Sequence, residues 1–228
     1  MIKYFLFLML LFTAIINCTQ REEKIVTQHF FGEKNLPKDI LKIYLNKASL
    51  NEIENGVDSF EVRKWFPFYY VDSFPLTLER FYFQKGVFKA ECYFFSDMDG
   101  GLITTKKELK GLQVEKYSIN NVPLNFLDSI ITKYNLATMD TFDLNLIWKK
   151  NVNPYSTVTH RRIFLEQVNP RDYYAVFISD PQDYPGLHKS IDNYAAFAKF
   201  TFETLCKIDS GFLKWFEVKA KRIINKQD

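Results

Sequence analysis

Several kinds of chemistry are missing from this 228-residue chain before any element is placed. It has no G-x-x-x-x-G-K-[ST] loop and no G-x-G-x-x-G turn, so neither usual backbone cradle for phosphate is present. No C-x-x-C, H-E-x-x-H or G-x-S-x-G occurs, which removes the common redox, metalloprotease and nucleophile-elbow patterns. Histidine and cysteine number three each. A zinc site would need His160, His188 and carboxylates or thiols brought together by the fold, so no metal and no cofactor is expected. Glycine and proline number only 8 each and no Ser/Gly/Pro-rich linker divides the chain, which argues for a single domain. Charge of one sign is lacking too: 30 basic against 27 acidic residues give a net charge of +3, too little to track a phosphate backbone, so nucleic acid is not an expected partner.

What is present begins at the N-terminus. Lys3 precedes an almost unbroken apolar run from Tyr4 to Ile16, and Asn17-Cys18 leads into the polar stretch Thr19 to Lys24. That order is the order of a secretory signal peptide. A run of 13 residues would span roughly 20 Å as a helix, against about 30 Å for a hydrocarbon core, so cleavage is expected rather than a permanent span.

Ile15-Ile16-Asn17-Cys18 resembles the lipobox of bacterial lipoproteins, with Asn17 where Ala or Gly is usual and Ile15 where Leu is usual. The resemblance implies a diacylglyceryl group on the Cys18 thiol, cleavage just before it and a membrane partner reached through the lipid. Thr19, in place of an Asp that would hold the protein at the inner membrane, implies the outer membrane, facing periplasm or cell surface. The expected organisation is a signal peptide over 1–17, a lipid-anchored tether over 18–35 and one domain over 36–228.

Within that domain, Ile40, Leu41, Ile43, Tyr44, Leu45, Leu50 and Ile53 suit a helix that stops near Gly56. Leu76 to Phe83 and Val87 to Phe95 read as a hairpin around Gln84-Lys85-Gly86. Asp97 to Gly101 is a turn before strands at Leu102–Thr105 and Leu112–Ile119. Pro123 opens a second helix. Thr141 to Trp148 alternates as a strand with one wet face. Arg161 to Val168 and Tyr173 to Ser179 form another hairpin, its second strand apolar on both faces and therefore central. Two helices close the chain, from Lys189 and from Phe212. Hairpins with helices before, between and after them predict an α+β domain on a largely antiparallel sheet of six to eight strands.

The functional candidates are dispersed. Trp65, Phe68, Tyr69 and Tyr70, with Tyr155 in a polar loop, are candidates for an interaction surface, because exposed aromatic rings anchor protein contacts and stack on sugars, while core burial is the alternative for the aromatic segment of a domain so rich in aromatics. An envelope protein or a glycan would be the partner of a non-enzymatic binding module. Ser156 and His160, four apart, offer instead a nucleophile and base for a small envelope hydrolase. A toxin-immunity lipoprotein is a narrower form of the binding reading. Cys92 and Cys206 would pair in an oxidising compartment if the fold brings them together, while the alternation of Cys92 with Phe88, Ala90 and Phe94 suits a buried free thiol. Asp97-Met98-Asp99 imitates the start of a calcium loop, but Leu102 occupies the place of its required glycine, leaving turn chemistry. The last helix, with Lys214, Lys219, Lys221, Arg222 and Lys226 around an apolar stripe, suits either docking on the sheet or an anionic membrane surface.

Overall fold

The computed structural model describes residues 26–32, 38–54, 56–57, 59–66, 76–103, 105, 107–119, 122–138, 162–179 and 189–225. They form a seven-stranded sheet: β1 (Thr27–Gly32), β2 (Glu61–Phe66), β3 (Thr77–Gln84), β4 (Val87–Ser96), β5 (Gln113–Ile119), β6 (Arg162–Val168) and β7 (Asp172–Ser179). The spatial order is β1-β7-β6-β2-β3-β4-β5. Five pairings are antiparallel and one, β1 on β7, is parallel. Around the sheet lie helices α1 (Lys38–Lys47), α2 (Leu124–Thr132), α3 (Lys189–Ile208) and α4 (Ser210–Ile224). The chain is therefore an α+β protein, as the hairpin pattern predicts.

Turn chemistry fixes the register of both hairpins. Gln84 pairs with Val87, leaving Lys85 and Gly86 as a two-residue loop with φ of 53° and 75°. Two positive φ values match the twist of the flanking strands, and glycine accepts the second without a Cβ clash. At the other hairpin the Asn169 side-chain oxygen accepts from the amides of Arg171 and Asp172, both at 2.8 Å. Asp97 closes its bend in the same way, accepting from the amides of Asp99 and Gly101 at 2.9 and 2.6 Å.

Strand alternation then sorts the side chains onto two faces. On one face Val62, Phe81, Ala90, Cys92, Ile163, Leu165 and Val176 meet Phe126 and Ile130 of α2, Tyr194, Phe197 and Leu205 of α3, and Phe212 of α4 in one core. On the opposite face Trp65, Leu78, Tyr93, Phe95, Phe164, Tyr173 and Ala175 meet Ile40, Leu41, Tyr44 and Leu45 of α1. Helices on both faces explain why β7 is apolar on both sides. It also has a hydrogen-bonded neighbour along each edge.

Some expectations change. The stretch read as a tether contains β1, so the folded body reaches back at least to Thr27. Its pairing with β7 is non-local, and a six-residue segment carrying Thr27, Gln28 and His29 gives no local sign of it. Helix α1 ends at Lys47, because Ser49 turns left-handed with φ of 56°, which puts Leu50 and Ile53 beyond it. The aromatic stretch opening at Arg63 begins as strand β2. No strand forms at the described residues of 102–105. The strand expected at Thr141–Trp148 lies outside the described residues.

Helix α4 starts where Asp209 accepts from the amides of Gly211 and Phe212 at 2.8 and 3.3 Å, capping two donors that a helix leaves open. Tyr117 of β5 donates to the same carboxylate at 3.1 Å. A Cβ on Gly211 would come within 2.5 Å of that Tyr117 oxygen, so the glycine sets how closely the helix approaches. The apolar stripe of α4 faces the sheet, and Lys219 and Arg222 both pair with Glu115 of β5. Docking on the sheet is thus the fate of that stripe.

Candidate functional site

Trp65 is 1% exposed, so it is not the exposed contact residue that its aromatic neighbourhood suggests. The correction has a simple cause: β2 is bonded on both sides, to β3 and β6, and residue 65 points at α1. A buried indole needs an acceptor for its N–H. It finds the Glu166 carboxylate, Nε1 donating to Oε2 at 2.7 Å, while the Tyr173 hydroxyl donates to Oε1 at 2.9 Å. The β2–β6–β7 register brings the three together, Trp65 opposite Phe164 and Glu166 opposite Ala175.

This trio lies at the edge of a cavity of about 300 Å³ between α1 and the sheet. Leu41, Leu45, Ile53 and Phe164 complete its apolar wall, and Lys38, Asp39, Lys42, Glu52 and Glu54 surround its mouth. Two ion pairs tie α1 to the following segment, Lys38 to Glu54 at 2.8 Å and Lys42 to Glu52 at 2.9 Å. Burial pushes the Glu166 carboxyl above its ordinary value, and the Arg63 charge with the two hydrogen bonds opposes the rise without cancelling it.

Beside it on the same face runs a charge network. Glu61 receives Arg63 Nε at 2.6 Å and Arg80 Nε and Nη2 at 2.7 and 2.9 Å. Glu91 receives Arg80 Nη1 at 3.1 Å, Tyr93 at 2.6 Å and Lys116 at 3.2 Å. Burial raises both carboxyls. At Glu61 the Arg80 hydrogen bond and the Arg63 and Arg80 charges outweigh it, and at Glu91 Tyr93, Lys116 and Arg80 do, so both stay below the ordinary range. Arg63 is 1% exposed, and its Nη1 has no hydrogen-bond partner among the described residues.

The opposite face holds a second cavity, about 360 Å³, under α3 and α4. Phe66, Ile163, Ala195, Ala198, Phe202 and Phe216 make its wall mostly apolar. Lys64 and Glu79 lie on its sheet side, paired at 2.6 Å, and the Lys64 ammonium also donates to the Ala198 carbonyl at 2.9 Å and to the Thr201 hydroxyl at 2.7 Å. Two of the ammonium protons are engaged by these hydrogen bonds, and the contact with Glu79 is an ion pair without hydrogen-bond geometry.

Cys92 and Cys206 are on this same face, in β4 and α3, and both are free thiols. Burial pushes both thiols up, away from the reactive thiolate. His29 is stacked on Tyr174, with ring centroids 4.5 Å apart, and its Nε2 lies 3.6 Å from Asp172. Among the described residues no group of three His, Cys, Asp or Glu side chains is placed to hold a metal ion, and no helix is long and apolar enough to cross a membrane. Cys18, Phe68, Tyr69, Tyr70, Tyr155, Ser156, His160 and His188 lie outside the described residues.

Comparison of the chain with protein-family models, with curated proteins and with solved structures finds no match. The site is therefore read from its own chemistry. Glu166 went unnoticed in the sequence, yet a signal existed: charges of both signs recur inside strand-like segments, as in Glu61-Val62-Arg63-Lys64-Trp65 and Glu79-Arg80. Charges in the middle of a sheet covered on both faces must be paired, and a carboxylate paired only with neutral donors is a special position.

Proposed function

We propose that the chain is a lipid-anchored binding module of a bacterial envelope, held through Cys18, in which the cavity between α1 and the sheet takes a small ligand or a partner's side chain. The observation that supports binding is the cavity itself: about 300 Å³, walled by buried aromatic and aliphatic side chains, with one buried carboxylate oriented by Trp65 and Tyr173. Few polar groups convergent on an apolar concavity are the usual make-up of a ligand site. The anchor rests on the apolar run that ends at Cys18. More than one acyl chain, at about 0.8 kcal/mol per buried methylene, holds a protein stably at a bilayer.

The test is metabolic labelling with a radioactive or clickable fatty acid in cells making the wild type or Cys18→Ala. Label on the wild type and none on the variant is the expected result; an unlabelled wild type would overturn the anchor. In parallel, the purified chain is offered chromogenic ester and glycoside substrates. Turnover abolished by His160→Ala would replace binding with hydrolysis.

A further inference from the structure

The charges around the α1 cavity are unequal. Six charged side chains line it: the ammonium groups of Lys38 and Lys42, and the carboxylates of Asp39, Glu52, Glu54 and Glu166. Each lysine is spent on one mouth carboxylate, Lys38 on Glu54 and Lys42 on Glu52, and Lys38 also lies 5.5 Å from the centre of the Phe30 ring. Asp39 and Glu166 remain, a local excess of two negative charges. The nearest positive charge behind Glu166 is Arg63, which does not line the cavity and whose Nε is held by Glu61 at 2.6 Å.

Glu166 is 6% exposed, and each of its oxygens accepts one hydrogen bond from a neutral group. A carboxylate has about four acceptor positions, so one remains on each oxygen. Trp65, Phe164 and Tyr173 line the cavity with it, and an aromatic ring attracts a cation that reaches its face. A half-buried setting strengthens both effects relative to water.

We propose that this cavity binds an organic ammonium group, donating to Glu166 and lying against the aromatic walls. The inference rests on the binding reading above and adds the class of ligand. A carboxylate or phosphate would meet Asp39 and Glu166 with no unpaired cation among the described lining residues to answer it. A neutral alcohol of the same shape could donate to one remaining Glu166 position but would bring no charge to it.

Isothermal titration of the full chain in detergent tests this with three probes of nearly equal size: phenethylamine, 2-phenylethanol and 3-phenylpropionate. Phenethylamine is expected to bind at least tenfold more tightly than the alcohol, and the carboxylate to bind more weakly than either. E166Q should weaken phenethylamine at least tenfold and leave the alcohol unchanged. Should that variant not fold, K42Q serves, because freeing Glu52 from its lysine should tighten phenethylamine two- to fivefold. Amine and alcohol of equal affinity, a preferred carboxylate, or amine binding indifferent to E166Q or K42Q would each overturn the proposal. Nα-acetyl-lysinamide distinguishes sources: binding tighter than phenethylamine points to a lysine side chain of a partner, weaker binding to a free amine. Fatty-acid labelling is read separately. A labelled chain that ignores amines loses only the ligand class, and an unlabelled chain that binds them loses only the anchor.

Discussion

The two faces of the sheet bury charge in different ways. Under α3 and α4 one pair, Lys64 with Glu79, has both partners buried, and the lysine also donates to a carbonyl and a hydroxyl of α3. Under α1 there is a network in which Glu61 and Glu91 share Arg63, Arg80, Lys116 and Tyr93, and beside it Glu166 is held by neutral donors alone. A closed pair balances itself. The network's two carboxylates face three cations, and the Arg63 charge also favours an ionised Glu166, whose own hydrogen bonds come from an indole and a phenol and leave an acceptor position on each oxygen. The difference separates the face that glues the fold together from the face on which recognition is proposed.

That contrast is broken most sharply at Glu61. Its removal takes away the carboxylate bound to Arg63 and leaves Arg80 with Glu91 alone, so Glu61→Ala should cost about 3–5 kcal/mol in urea unfolding. A loss under about 1 kcal/mol would mean that the network is not a unit. On the other face Lys64→Met alone should cost about 3 kcal/mol, because Glu79 is stranded, but the double change Lys64→Met with Glu79→Leu should return stability to within about 1 kcal/mol of wild type or above it. A double variant no better than the single would erase the distinction between pair and network.

Acid titration sharpens the comparison within the α1 face. Glu61 and Glu91 are held below their ordinary value of 4.5, so their contribution is complete above that pH and is lost as pH falls through the folded values. Glu166 is shifted the other way: stability is lost as pH rises from 4.5 through its raised folded value. Unfolding free energy should therefore be greatest in mildly acidic buffer. Glu166→Gln should flatten the neutral limb and leave the acid limb in place, measured by urea midpoints across pH 3 to 8. The smallest effect belongs to the rim of the helical face. Glu115→Gln breaks exposed pairing to Arg222 and should cost under about 1 kcal/mol for that pair. The buried neighbour Lys219 adds whatever part of its charge water cannot reach.

Local patterns were legible where local forces decide. The Gln84 to Val87 hairpin, the Asn169 hairpin, and the 3-4-4 spacing of Tyr194, Phe197, Thr201 and Leu205 all follow from turn chemistry or helical period. Strand β1 was not legible, since its strand partner among the described residues is far away in sequence. Trp65 was misplaced because aromatic density says nothing about whether a strand is central or at an edge. Glu166 was missed for a related reason: its character comes from Trp65 and Tyr173, which the register supplies and composition does not. Of the site, the sequence offered one correct member with the wrong exposure.

The sheet order also sets a timetable for assembly. Thr27 is paired with Asp172, so β1 waits for β7, while β2 pairs with β3 on one edge and waits for β6 on the other, Glu61 opposite Val168. At about 5–20 residues per second, the 145 residues from Thr27 to Asp172 take roughly 7–30 s to make. Among the described strands the β2–β3–β4–β5 meander can zip up early, and completion comes when the β6–β7 hairpin slots between β2 and β1. A polypeptide built this way remains threadable until its last third has been made, which is the condition a translocation channel imposes on its cargo.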